Sequence, residues 1–282
     1  MKDFKNKTAF VTGAASGIGL ALSKELVARG ANVMMSDVNV VSLETAAADI
    51  NAVGQIATVA CNVADHDSVV LASEKVIQRF GQVDLLFNNA GVSLAGQSGL
   101  IAIEDWRWIV DINLMGVVHG TEVFLPLLRA HQQQAHIVNT ASMAGHVASA
   151  YMSPYHATKF AVVGYSESLR QELQESNIGV SVLCPTWVKS NIYNAHGGAP
   201  SLSESENDFT DSPVYQMSKQ LIDNGMSAED FADLTLNAIL KNRFYVFNDP
   251  AARVAIDNRR EQILTDYDAC LAESANLIEV QL

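Results

Sequence analysis

The stretch TAFVTGAASGIG, residues 8–19, constrains the fold more than any other in the chain. A short apolar run ends in a glycine-rich turn, and a helical pattern begins at once. Ile18, Ala21, Leu22, Leu26 and Val27 fall largely on one face of that helix. A helix placed after a strand carries the chain back, so the next strand enters parallel. The arrangement then repeats. NVMMSD (32–37) precedes a helix over 40–53, IATVACNV (56–63) one over 66–80, and VDLLFNNAG (83–91) helical sequence over about 104–130. AHIVNTAS (135–142) precedes a long helix over 154–175, and IGVSVLCP (178–185) and RFYVFN (243–248) supply the last strands. The near-continuous apolar run at 83–91 suits a strand buried on both faces. Residues 1–282 therefore read as one doubly wound α/β domain, a parallel sheet with helices on both faces. Two segments depart from the repeat. Residues 191–213, rich in Ser, Asn, Gly, Pro and acids, read as a long loop or lid, and 251–282 as an acidic helical extension. That extension is either a surface appendage or a contact to a subunit or the lid.

Composition narrows the function. Hydrophobic residues make up 49% and charged residues 17%, enough apolar material for a substantial core. The net charge of -13, from 18 basic and 31 acidic residues, argues against nucleic acid and against an anionic membrane surface as partners. Three widely spaced cysteines, Cys61, Cys184 and Cys270, fit neither a disulfide framework nor a zinc site, so no metal is expected. No uninterrupted apolar stretch approaches the ~18 residues of a spanning helix. The expectation is a soluble cytoplasmic protein.

TGAASGIG (12–19) sits between a strand and an amphipathic helix. Gly13, Gly17 and Gly19 permit a tight turn, close approach of a phosphate and close helix–strand packing. The helix N-terminus then offers unpaired N–H groups to a pyrophosphate. The spacing is G-x-x-x-G-x-G, neither the common dinucleotide fingerprint nor an ATP-type phosphate loop. Asp37 ends the second strand, where a carboxylate accepts from ribose hydroxyls and repels a 2′-phosphate. Its neighbours, Ser36 and Val38, are not basic, and position 15 is Ala. This favours NAD over NADP. Farther along, Tyr155 and Lys159 are four residues apart, hence on one helix face. Alone, that pair is either a surface feature or a proton donor with its tuning charge.

Together with T12-G-A-A-S-G-I-G19, the motifs N88-N-A-G91, Asn113 in DINLMG, Ser142 in NTASMAG and Y155-x-x-x-K159 resemble the short-chain dehydrogenases/reductases in order and spacing. The resemblance is strong over about residues 6–190 and weaker beyond. GVSVLCPTWVKSNI and GMSAEDFADLTLNAILKNRFYVF are more loosely similar to bacterial dehydrogenases of lignin-derived benzylic alcohols. The family resemblance implies a Rossmann fold with a seven-stranded sheet, a nicotinamide cofactor, a secondary alcohol or ketone substrate, and a homodimer or homotetramer.

Residue by residue, the resemblance implies that Tyr155 exchanges the substrate proton and that Lys159 contacts the nicotinamide ribose. Asn113 would deform its helix and hold a relay water, and Ser142 would bond the substrate oxygen. A phenol is poorly matched to neutral proton transfer, and a nearby ammonium lowers its pKa. Gly13, Ser16, Gly17, Ile18, Gly19, Asp37, Asn62, Val63, Asn89, Ala90, Gly91, Tyr155, Lys159, Pro185, Val188 and Ser190 would surround the cofactor. Asn88 either lines the cofactor or stabilises the sheet end.

Three positions depart from the family's pattern: Asn62 replaces an aspartate, Thr186 a glycine after Pro185, and Ser190 a threonine. An amide or hydroxyl keeps hydrogen-bonding capacity at the first and last, whereas Thr186 lacks glycine's backbone freedom. Ser142, His146, Val147, Tyr151, Met152, Trp187 and Tyr193 are the candidate substrate contacts. Mostly apolar or aromatic, they predict a bulky, largely apolar substrate. His156 is read as a bystander. The expected activity is hydride transfer between a nicotinamide and a secondary alcohol or ketone; the rival reading is an NAD-binding regulator or scaffold without turnover.

Overall fold

The computed structural model describes residues 1–50, 52, 54–202 and 213–279. Its strands are β1 (Thr8–Thr12), β2 (Asn32–Asp37), β3 (Ile56–Ala60), β4 (Leu85–Asn88), β5 (Ala135–Thr140), β6 (Ile178–Cys184) and β7 (Tyr245–Phe247). They form one seven-stranded sheet in the order β3-β2-β1-β4-β5-β6-β7. Every pairing is parallel. This is the Rossmann-type doubly wound architecture that the alternating pattern predicts.

Strand periodicity assigns the sheet's two faces. Ala9 and Val11 of β1 and Leu85 and Phe87 of β4 pack with Leu22 and Leu26 of α1 (Gly17–Ala28), Leu43 of α2 (Val40–Ile50) and a distant helix carrying Phe231 and Leu236. Phe10 and Leu86 point the other way. They meet Val69 and Val76 of α3 (His66–Phe80), Phe124 of α5 (Gly116–Ala130) and Val162 of α6 (Ser153–Glu172). Adjacent residues thus enter opposite cores because successive strand side chains alternate faces. Phe10 and Phe124 stack at 4.5 Å between ring centroids.

The chain leaves β3 at one edge and re-enters as β4 beside β1, with Val11 opposite Phe87. Winding reverses there, and the loops after β1 and β4 part to leave a crevice. Between β4 and β5 runs a continuous helix made of α4 (Ile103–Val110), a π-turn (Asp111–Met115) and α5. By length and composition, Ile103–Ala130 is long and apolar enough to cross a membrane, although charged residues such as Asp111 and Glu122 interrupt it. In this fold Val117, Phe124 and Leu128 lie against the sheet, which accounts for much of that apolar content.

After β6, short 3-10 turns cover Ile192–Gly198 and Pro200–Leu202. The expected lid at 191–213 thus has local structure where it is described; 203–212 lie outside the described residues. Helices α7 (Pro213–Asp223) and α8 (Ala228–Leu240) lead to β7. Contacts divide the chain into Met1–Asn248 and Asp249–Leu282. The second unit consists largely of α9 (Ala251–Glu279).

Candidate active site

The β1 turn is held by atoms that leave no room for side chains. Gly13 has a φ of 64°, and a Cβ there would lie 2.8 Å from Ala90 Cα. A Cβ on Gly19 would come within 2.2 Å of the Gly13 carbonyl oxygen. Asn89 Nδ2 donates to Thr12 O at 2.9 Å, while the backbone N–H groups of Asn89 and Ala90 both donate to Thr12 Oγ1 at 2.9 Å. Thr12, absent from the sequence-derived candidates, therefore ties the two loops of the crevice together. Ser16 stands at the α1 N-cap without a side-chain capping bond, so its end of the helix presents free N–H groups.

The crevice beyond this turn is a cleft of about 300 Å³. Gly13, Ser16, Gly17, Ile18, Asp37, Asn62, Val63, Asn89, Ala90, Gly91, Tyr155, Lys159, Pro185 and Ser190 line it. Two other cofactor candidates stand behind the lining. Gly19 is packed under the turn, and Val188 is 4% exposed in the core. Val38, Val92, Ile112 and Thr140 also face the cleft, although no motif marks them. Asp37 Oδ2 accepts from Ala15 N at 3.2 Å and Oδ1 from Asn39 N at 2.9 Å. Each oxygen keeps a lone pair for a ribose hydroxyl. The narrow glycine turn, uncapped helix end and carboxylate fit NAD.

Behind the Gly91 part of the lining, Asn113 is buried in the π-turn. Its Oδ1 accepts from Val92 N at 2.8 Å, and its Nδ2 donates to Val92 O at 2.9 Å and Thr158 Oγ1 at 3.2 Å. The side chain thus fixes the loop after β4, leaving the backbone of the disrupted helix for other work. Gly91 faces both this amide and Lys159: a Cβ there would lie 3.3 Å from Asn113 Oδ1 and 3.4 Å from Lys159 Nζ. Asn88 instead points into the core, donating to Asn139 Oδ1 at 2.9 Å, and serves the sheet rather than the cleft.

Tyr155 and Lys159 share one face of α6, as their spacing requires. Lys159 is 2% exposed, donates to Thr140 O at 2.9 Å and lies 5.6 Å from the centre of the Tyr155 ring. Burial lowers its pKa to about 8. Burial also raises the Tyr155 pKa, opposed by a hydrogen bond with Ser142. The offsetting group is thus the Ser142 hydroxyl, while the Lys159 ammonium is engaged by the Thr140 carbonyl. Ser142 Oγ accepts from Ala144 N at 3.1 Å and can turn its single proton to Pro185 O at 3.3 Å in place of Tyr155, so its hydroxyl is held at the end of β5.

The candidate substrate residues are more scattered. His146 Nε2 meets Cys184 Sγ at 3.2 Å, and its ring packs near Phe247 and Tyr245, turning it towards β6 and β7. Tyr151 is 55% exposed with a φ of 65°, and its carbonyl accepts from Gly96 N at 2.8 Å. Tyr193 stacks edge-on with Tyr215 and lines a neighbouring cavity of about 520 Å³ with Gly17, Lys189 and Ser190. Trp187 is 40% exposed; its carbonyl accepts from Met226 N at 3.0 Å, beside a parallel bridge between Val188 and Met226. A Cβ on Gly225 would lie 2.2 Å from that carbonyl. His156 accepts from Ser149 N and therefore donates through Nδ1 to Ala144 O at 2.9 Å, bracing the loop before α6.

The residues packed around Tyr155 come from elsewhere. Leu94, Ile109 and Ala199 form a small apolar cluster, and Val92, Ile101, Trp108 and Tyr155 pack against it. Of these only Tyr155 carried a sequence motif.

Comparisons with known proteins agree with this geometry. Residues 7–198 match the short chain dehydrogenase family. A CLA biosynthesis dehydrogenase/reductase from Lactiplantibacillus plantarum is 35% identical, covering 94% of this chain and 96% of its own length. A C alpha-dehydrogenase from a Sphingobium species is 31% identical, with 94% and 87% covered. A short chain dehydrogenase/reductase from Burkholderia phymatum, solved in complex with NAD, superposes with a TM-score of 0.89 at 34% identity, covering 94% of this chain and 97% of that one. The chain belongs to the short-chain dehydrogenases: an NAD-binding oxidoreductase that transfers hydride between a nicotinamide and an alcohol or ketone.

Proposed function

For a short-chain dehydrogenase with this cleft, we propose oxidation of a bulky, largely apolar secondary alcohol, or reduction of the corresponding ketone, with Tyr155 as the proton-exchanging group. The carrying observation is that Tyr155 meets the cleft on one side and the Leu94–Ile109–Ala199 cluster on the other. A substrate oxygen at Tyr155 would place its carbon near the cofactor and its apolar substituents against that cluster. Two relatives are also named as dehydrogenases, one of CLA biosynthesis and one a C alpha-dehydrogenase.

Gly13 to Gly19, Asp37, Asn62 and Asn89 to Gly91 would hold the cofactor, with Lys159 and Ser190 at its nicotinamide end. Bound NAD supplies the hydride acceptor. In oxidation, Tyr155 takes the hydroxyl proton while the carbinol hydrogen leaves as hydride; in reduction the proton returns. Ser142 orients the oxygen and hydrogen-bonds Tyr155. The backbone at Asn113 would hold the water through which the proton passes from Lys159 to solvent. We also propose a cytoplasmic homodimer or homotetramer, a reading supported by the acidic composition and by the family's habit of subunit association.

Following absorbance at 340 nm with purified protein, NAD and a panel of benzylic and long-chain secondary alcohols tests this reading. Turnover should favour the bulkier members, and Tyr155→Phe should reduce kcat/KM by about a thousandfold. Retained turnover in Tyr155→Phe, or no activity across the panel in either direction, would remove the proposal.

A further inference from the structure

Asp105 is a buried charge that the chemistry above does not use. It lies in the first turn of α4 and is 3% exposed. An acid at that place commonly caps its own helix. Here both oxygens face a residue 96 positions away: Ser201 N donates to Oδ1 at 3.0 Å, and Ser201 Oγ donates to Oδ2. One carboxylate thus grips one serine by its backbone and its side chain.

The grip has a direction. Ser201 is exposed, whereas two residues earlier Ala199 is 1% exposed and packs with Leu94 and Ile109. Gly198 passes the Trp108 ring so closely that a Cβ would lie 3.3 Å from Cζ2. Residues 198–201 therefore run along α4, and their inward-facing residue completes the apolar cluster around Tyr155. Releasing Ser201 would leave a buried carboxylate unpaired, an expensive state, so the charge biases the segment towards the docked position.

We propose that Asp105 is a positioning residue for substrate, clamping Ser201 so that residues 198–201 form one wall of the substrate compartment over Tyr155. The clamp touches neither cofactor nor reacting atoms. It acts on the side of the site that distinguishes bulky alcohols from small ones. The inference rests on the reading that substrate reacts at Tyr155.

A double-mutant cycle with Asp105→Ala, Ser201→Ala and their combination tests it, using NAD with 1-phenyl-1-hexanol and 1-phenylethanol as probes. The expected result is a KM for 1-phenyl-1-hexanol raised about tenfold in Asp105→Ala and about threefold in Ser201→Ala, with kcat and the KM for NAD within about twofold. The double variant should be no worse than Asp105→Ala, because both changes break the same contact. Asp105→Asn, which keeps an acceptor oxygen, should recover most of the loss. Cofactor-free Asp105→Ala should also be cut by thermolysin within 192–202 about tenfold faster than the parent.

Unchanged alcohol KM in both single variants, effects that multiply, or an equal rise in the KM for NAD would overturn the clamp. So would unchanged proteolysis. If Asp105→Ala does not fold, Ser201→Ala carries the same test through its alcohol KM and its rate of proteolysis. Failure of every alcohol probe, or retained turnover in Tyr155→Phe, would sink the substrate reading instead, and proteolysis would still report on the clamp.

Discussion

The two sides of the cleft are made of different material. The cofactor side is mostly backbone: Gly13 and Gly19 have no space for a Cβ, and Asn89 and Ala90 are tied to Thr12. The side proposed for substrate is mostly side chains, with Leu94, Trp108, Ile109 and Ala199 brought together from three separate segments. Backbone pressed against backbone cannot relax when an atom is added, whereas a cluster of side chains can repack. The first side should therefore be intolerant and general, the second adaptable and specific.

The sharpest way to break this contrast is Gly19→Ala. Its new methyl would meet a carbonyl oxygen at 2.2 Å, so the turn must move. The expected cost is about 3 kcal/mol or more of stability, with NAD binding lost, read by urea denaturation and NAD titration. A stable, NAD-binding Gly19→Ala protein would show the turn to be as adaptable as the opposite wall.

Lys159 probes the boundary between the sides. Its pKa of about 8 lies below the ordinary lysine value, so the folded protein penalises the charged form. That penalty is full below about pH 8 and fades as pH rises towards about 10.4, where the unfolded side chain also deprotonates. The parent protein should therefore gain about 3 kcal/mol relative to Lys159→Met between about pH 7 and about pH 10.5. Urea midpoints across that range measure it; a constant gap would mean that the ammonium is well solvated.

Asp37→Ala should raise the KM for NAD about tenfold to thirtyfold and narrow the preference over NADP, since it removes an acceptor pair and a repelling charge. Equal use of NAD and NADP by the parent protein would overturn the role given to Asp37. The smallest effect is expected on the other wall. Trp108→Phe should change the KM for a bulky alcohol by about threefold to tenfold and leave the KM for NAD in place. Steady-state kinetics with both substrates varied separates the two.

This contrast also governs what could be read in the sequence. The glycine turn, Asp37 and the Tyr155–Lys159 pair are set by local spacing, and local spacing is what a sequence displays. The limits of β2 and α3 were legible for the same reason. β4 was expected over 83–91, yet regular pairing stops at Asn88, because Asn89 and Ala90 turn to bond Thr12. The π-turn at Asp111–Met115 inserts a residue into an otherwise helical pattern; periodicity gives no sign of it, and only the family resemblance at Asn113 implied a deformed helix there. His146 stands near Ser142 in sequence but is drawn away to Cys184, Tyr245 and Phe247. Leu94, Ile109 and Ala199 carry no motif, and their meeting depends on how α4 and the 198–201 segment lie together.

The bridge between Val188 and Met226, closed under Gly225, has a consequence beyond holding Trp187. It brings both ends of the excursion from Lys189 to Gly225 to one point beside the sheet's carboxyl edge. Closing a longer loop from such a base adds little entropic cost, because that cost grows only with the logarithm of length. Beyond Ser190, which belongs to the cofactor cleft, the excursion is thus a cassette: it can lengthen, shorten or change sequence while the strands beneath keep their register. One catalytic floor can in this way acquire new substrates without refolding, so long as each replacement returns a small residue under the Trp187 carbonyl.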